Sequence, residues 1–123
     1  MSSVMRFLKA FIPMLSLALI SSIALADCGD RTSVQEIIES EKDTLVGPFS
    51  VSELERDRMI TIRETGEVLP FGYINKEWEE LKSLMQEGDE IYFVEHRDGY
   101  YMHNGHLLVR GGCVVFFLRG AIS

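Results

Sequence analysis

Two periodicities of apolar residues divide this chain into helical and extended segments. The apolar residues between Val34 and Ile38 recur at helical spacing, which predicts a helix over 33–42. Ser33 and Glu36 are predicted to form a capping box at its start. Gly47-Pro48 ends that unit. The polar stretch 50–58 fits either a short helix or a loop.

A second helix is predicted from Asn75 to the residues before Gly88. Asn75 serves as its N-cap, and three glutamates near its start suit the positive end of the helix dipole. Its apolar stripe consists of Trp78, Leu81, Leu84 and Met85. Such a stripe predicts packing against the core.

Between the helices, residues 59–63 alternate as a strand does, and 68–74 is extended with Pro70 at a sheet edge. After Glu90 three dipeptides predict two-residue turns, namely Asp98-Gly99, Asn104-Gly105 and Gly111-Gly112. They divide the rest of the chain into strands 90–97, 100–103, 106–110 and 113–119.

This strand register places most apolar side chains on one sheet face, and the Trp78 helix is expected to pack against that face. That face would carry Ile91, Phe93, Tyr100, Met102, Leu107, Val109, Val114, Phe116 and Leu118. The predicted fold class is α+β, a small antiparallel sheet packed against one or two short helices.

Residues 1–26 have the three parts of a cleavable signal peptide. Arg6 and Lys9 precede an apolar run of about 15 residues, and Ala24-Leu25-Ala26 supplies the small residues of a cleavage site. A retained membrane anchor is an alternative, although the run is shorter than the ~20 residues of a spanning helix. Lipid attachment at Cys28 is another, although Asp27 is an unusual residue before such a cysteine.

The predicted mature protein, 27–123, has 97 residues and room for one domain. All 19 acidic residues but only 10 of the 12 basic residues lie in it, so its formal net charge is −9. Nucleic acid and anionic membranes are therefore poor partners, and a basic protein is the easier one. The charge also has a simpler interpretation, as a source of solubility.

The two cysteines, Cys28 and Cys113, are predicted to form a disulfide in an oxidising periplasmic or extracellular compartment. Two free thiols are the alternative. The chain lacks a CxxC motif, which argues against a redox-active pair.

All three histidines fall near one end of the predicted sheet. The register makes His103 and His106 cross-strand neighbours and places His96 diagonally to His103. Three imidazoles on one surface predict a Zn²⁺ or Cu²⁺ site. A solvated polar edge and a pH-sensitive surface are the other interpretations.

One stretch resembles a known group of proteins. It runs from the Trp78 helix through Gly88-Asp89-Glu90 to the segment 108–115, Leu-Val-Arg-Gly-Gly-Cys-Val-Val. It is similar, over about residues 78–116, to small bacterial proteins with a Trp helix, a "GDE" strand start and an "LVR-G-x-VV" hairpin. The resemblance implies a bacterial origin and no catalytic residue. The histidine-rich segment 100–106 departs from that pattern.

The sequence lacks GxSxG, HExxH and phosphate-binding glycine loops, so it assigns no catalytic residue. The leading hypothesis is a small exported, non-catalytic binding or accessory protein without a cofactor. If its partner is a basic enzyme, the protein would be of inhibitor or immunity type. The alternatives are a periplasmic metal-binding protein that uses His96, His103 and His106, and an enzyme with an unrecognised site.

Overall fold

The structure, a computed structural model, describes residues 27–120. Three short helices, two β-sheets and one 3₁₀ turn occur in this part of the chain. In chain order they are α1 Val34–Glu39, β1 Asp43–Phe49, α2 Val51–Asp57, β2 Met59–Thr61, β3 Val68–Pro70, the 3₁₀ turn Gly72–Ile74, α3 Asn75–Leu84, β4 Glu90–Asp98, β5 Tyr101–Arg110 and β6 Cys113–Arg119. The predicted α+β class is confirmed. The predicted signal peptide, 1–26, lies outside the described residues.

The main sheet is antiparallel, with the strand order β1-β4-β5-β6, and β2 and β3 form a separate two-stranded ladder. Strand β1 was not predicted, because Gly47-Pro48 indicated only the end of the first helical unit. The chain accommodates that dipeptide in an irregularity between Val46 and Phe49, and pairing with β4 resumes at Phe49. Two ladder pairs fix the register at the other end, Asp43 with His96 and Leu45 with Val94.

The C-terminal part has three strands, so the prediction of four strands is wrong. Asp98 pairs with Tyr101, which places the first turn at Gly99-Tyr100, one residue later than predicted. Strand β5 runs without a break through Gly105, where a turn was predicted. A Cβ atom at Gly105 would overlap the Phe117 ring of β6. Glycine is therefore needed here for close strand packing and not for a turn.

Both faces of the main sheet carry apolar clusters. The larger cluster lies under α2 and α3, and it consists of Leu54, Phe71, Trp78, Leu81, Ile91, Leu108 and Leu118. The smaller lies under α1, and it consists of Val94, Leu107 and Val109. The sheet is thus covered by helix on both faces, whereas the sequence predicted helix on one.

Two residues of the predicted apolar stripe of α3, Trp78 and Leu81, are completely buried. The prediction is wrong for Leu84, which is 43% exposed because it lies at the C-terminal end of the helix. The indole Nε1 of Trp78 donates a 2.9 Å hydrogen bond to Glu55 Oε2 of α2, which also accepts from Lys82 Nζ at 2.7 Å. Asn75 is the first helical residue and not the predicted N-cap, because its side-chain amide donates to the carbonyl of Pro70 at 2.9 Å.

The predicted disulfide between Cys28 and Cys113 is confirmed. It joins the start of the described chain to the first residue of β6. Next to it, Val34 N donates to Gly112 O at 2.9 Å and Val114 N donates to Thr32 O at 2.9 Å. The segment before α1 is therefore held along the β5–β6 hairpin by covalent and hydrogen bonds together.

Two residues of the quoted "GDE" and "LVR" pieces form an ion pair. The guanidinium of Arg110 donates to both carboxylate oxygens of Asp89, at 2.9 and 2.8 Å. The Asp89 side chain is almost fully buried, and the hydrogen bonds from Arg110 lower the pKa of its carboxyl. This pair fixes the start of β4 against the end of β5.

Within residues 27–120, no helix is both long and apolar enough to cross a membrane.

Candidate functional site

The three histidines do not form one cluster. His96 and His103 are direct cross-strand partners, with ring centroids 4.8 Å apart. His106 lies three residues after His103 on the same uninterrupted strand, and side chains alternate between faces along a strand. It therefore points to the opposite face of the sheet, under α2 and α3. The predicted pairing of His103 with His106 is wrong, and the predicted three-histidine metal site is not assembled.

Among residues 27–120, His106 is the one polar or charged residue that is buried as a whole, with only 4% of its surface exposed. The Phe71 ring meets it edge-on, at a centroid distance of 5.1 Å, and the Phe93 ring lies 5.3 Å away. Its Nε2 atom is buried and has no hydrogen-bond partner. Burial first, and then the charge of Arg58, lowers the pKa of His106 to about 4, so its imidazole is neutral at neutral pH.

His106 lines a half-open cavity of about 450 Å³, called here the His106 cavity. This volume is within the range of ~300–1,000 Å³ that small-molecule sites occupy. Segments far apart in the sequence contribute its wall, which is mostly apolar. The lining residues are Arg58, Ile60, Phe71, Tyr73, Ile74, Phe93, Asn104, His106 and Gly120.

An unusual backbone conformation shapes this wall. Phe71 has a φ of 63°, in the left-handed region that costs a side-chain-bearing residue roughly 1–2 kcal/mol. Gly72 follows at a φ of 56°, and a Cβ atom there would lie 2.8 Å from the Ile60 side chain. This turn brings the Phe71 ring to 4.7 Å from Trp78 and onto His106.

Arg58 brings a positive charge to the cavity. It is the C-cap residue of α2, and its guanidinium carbon lies 5.7 Å from the centroid of the Phe93 ring. Within the described chain no carboxylate forms a salt bridge with it, although acidic residues greatly outnumber basic ones. The charge of Arg58 is therefore available to a bound group.

The histidine pair, His96 and His103, forms a second site on the other face. His96 Nδ1 lies 2.7 Å from Asp43 Oδ1 of β1, and the Tyr101 ring lies 5.3 Å from His103. The Nδ1 atom of His103 is buried without a hydrogen-bond partner. Both histidines line a shallow cavity of about 260 Å³. Among residues 27–120, no three His, Cys, Asp or Glu side chains are grouped so that they could together hold a metal ion.

Cys113 is not available as a nucleophile, because both cysteines of the chain are in the disulfide.

Sequence reasoning missed most of the His106 cavity. Arg58, Phe71 and Phe93 carry no local signal, because each comes from a different segment and only the fold brings them together. The one available hint was Phe71-Gly72 directly after Pro70, a combination that punctuates a strand.

Comparisons of this chain with family models, with curated proteins and with solved structures found no match.

Proposed function

We propose that this protein is a small, exported, non-catalytic binding protein that holds a small organic ligand in the His106 cavity. The observation that carries the proposal is a half-open, mostly apolar cavity of about 450 Å³ whose wall includes the guanidinium-bearing Arg58 and the buried His106. A mostly apolar cavity of this size with a few polar groups in its wall is typical of a small-molecule binding site.

Export is supported by two independent features. The first 26 residues have the composition of a signal peptide, and the Cys28–Cys113 disulfide is the kind of bond that persists in oxidising compartments. A small domain with a disulfide and a large negative charge suits a soluble carrier or accessory protein outside the cytoplasm.

Binding is tested by NMR on the oxidised mature protein, 27–123, titrated with a library of small organic fragments. We expect amide signals of cavity residues to shift with a subset of fragments. Two tryptophan variants give a matched comparison, since Ile60 and Met59 are adjacent, both 46% exposed, and only Ile60 lines the cavity. Ile60→Trp should abolish these shifts and Met59→Trp should preserve them.

A library that shifts no cavity amide would refute ligand binding in the His106 cavity. Equal losses in the two tryptophan variants would also count against it, because binding would then occur elsewhere. A basic protein recovered from envelope extract, with the cavity unaffected, would favour the inhibitor-type role instead.

A second candidate function, metal binding, is favoured by the histidine pair alone. An ionised Asp43 carboxylate can only accept a hydrogen bond, so the contact at 2.7 Å requires that His96 Nδ1 donates. This leaves Nε2 as the nitrogen available to a metal, the usual arrangement of a metal-binding histidine supported by a carboxylate. Neutral imidazoles suit Zn²⁺ and Cu²⁺, with water completing the coordination.

Calorimetric titration with Zn²⁺ tests the second candidate. We expect His103→Gln to abolish binding and Asp43→Asn to weaken it by roughly 10–100-fold. His106→Phe should leave Zn²⁺ affinity unchanged, because His106 lies on the other face. Equal Zn²⁺ affinity of wild type and His103→Gln would exclude the histidine pair as the site.

A further inference from the structure

The charge beside the His106 cavity selects the kind of ligand that the cavity can hold. Three aromatic rings, those of Phe71, Tyr73 and Phe93, line it and would by themselves suit either a flat apolar molecule or a cation. The guanidinium of Arg58 already lies near the face of Phe93. A second cation at that ring would meet a like charge, so a cationic ligand is disfavoured.

An anionic group finds complementary partners at the same place. Arg58 has no salt-bridge partner within residues 27–120, and its guanidinium offers planar donors that match a carboxylate or sulfonate. Burial lowers the pKa of His106 and keeps its imidazole neutral, so Arg58 supplies the positive charge of the cavity wall.

The remainder of the wall is mostly apolar, with Tyr73 and Asn104 as its other polar residues. Tyr73 has a hydroxyl, but it is occupied: it donates to Glu64 at 2.8 Å and accepts from the backbone N–H of Arg63 at 3.2 Å. The tyrosine ring is thereby held in place and presents carbon atoms to the cavity. Phe71 and Ile60 complete this apolar surface.

We infer that the ligand of the His106 cavity is a flat, apolar molecule with one acidic group, and that Arg58 binds this group while the aromatic rings hold the body. This inference rests on the proposed function, because it names the chemical class of the ligand that the same cavity holds.

Three probes of one shape test the inference. They are naphthalene-2-sulfonate, naphthalene-2-sulfonamide and 2-naphthyltrimethylammonium, which carry negative, zero and positive charge. Titrated into the oxidised mature protein, the sulfonate should bind at least about ten-fold more tightly than the sulfonamide, and the ammonium compound most weakly. A charge-assisted hydrogen bond is worth ~1.5–3 kcal/mol, which corresponds to a ten-fold or larger ratio.

Two arginine variants with the same change in net charge identify the partner of the acidic group. Arg58→Gln should abolish the preference for sulfonate, whereas Arg63→Gln, at an exposed arginine outside the cavity wall, should preserve it. Salt gives a measurement that needs no variant: added NaCl should weaken binding of the sulfonate and leave that of the sulfonamide unchanged.

Each outcome has a distinct meaning. Equal affinity for sulfonate and sulfonamide in the wild type, or an equal effect of both arginine variants, overturns the inference and leaves the proposed function intact. If the sulfonate fails to bind while fragments of another class still shift the cavity amides, the inference also falls alone. If no probe and no fragment binds, the proposed function falls with it.

Discussion

Replacement of His106 by phenylalanine should make the fold much less sensitive to mild acid. Burial lowers the pKa of His106 to about 4 in the folded protein, whereas an unfolded chain titrates near 6.5. Between these pH values the unfolded state binds more protons, so the free energy of unfolding falls as the pH falls. One pKa unit corresponds to about 1.36 kcal/mol. This loss of unfolding free energy, called here the acid penalty of His106, is therefore nearly absent above pH 7 and reaches about 3 kcal/mol near pH 4.

The variant lacks this penalty because phenylalanine does not titrate. It should also be at least as stable as the wild type at pH 7, since the unpaired Nε2 atom is removed. The larger ring has room, because the site adjoins a cavity and lies between Phe71 and Phe93.

Urea unfolding of both proteins at pH 7, 6, 5 and 4 measures the effect, with the disulfide kept oxidised. Carboxyl groups titrate in both proteins, so their contribution cancels in the difference between the two free energies of unfolding. That difference should grow in favour of the variant by about 3 kcal/mol from pH 7 to pH 4. Parallel pH curves would refute the reasoning, because they would show that His106 titrates normally in the folded state.

Three further predictions concern the sheet. Gly105→Ala should lower the free energy of unfolding, measured in urea, by about 1–3 kcal/mol, because the added methyl group would collide with β6; an unchanged midpoint would contradict this packing. Replacing Cys28 and Cys113 by serine opens a covalent loop that spans 85 positions and should cost about 4–5 kcal/mol in the chain-entropy model; a urea midpoint close to that of the oxidised wild type would argue against this. Arg110→Met removes the hydrogen bonds that lower the pKa of Asp89. In an NMR titration the carboxyl carbon of Asp89 should therefore change its shift at a higher pH than in the wild type. An unmoved titration midpoint would show that Arg110 is not the cause of the lowered pKa.

The sequence predicted the core face correctly for β4 and for most of β6, and it inverted the second half of β5. Ile91 of β4 and Leu118 of β6 lie on the predicted core face. In β5 the core face carries Leu108, whereas the predicted face used Leu107. The reason is Asn104-Gly105, a dipeptide typical of a hairpin turn. Here the glycine is required by a ring on the next strand, and the dipeptide itself contains no information about that ring.

Strand β1 shows a related limit of local reasoning. Its sequence, Asp-Thr-Leu-Val-Gly-Pro-Phe, contains two residues that usually end strands. Pairing with β4 stabilises it on both sides of the irregularity, through Val46 with Phe93 and Phe49 with Ile91. Strand propensity depends on such cross-strand neighbours, so residues 43–49 alone could not reveal the strand.

The inverted strand also changes what the histidines can do. A turn at Asn104-Gly105 would have placed His103 opposite His106 in one three-histidine site. The continuous strand separates them into two sites with different charged neighbours. On one face Asp43 accepts a hydrogen bond from His96, which favours a bound cation at the histidine pair. On the other face Arg58 lines the His106 cavity without a salt-bridge partner in the described chain, which favours an anion there. Because opposite charges flank the two sites, Zn²⁺ and an aromatic sulfonate should bind to the same molecule without competing, and competition between them would show that one of the two sites is assigned wrongly.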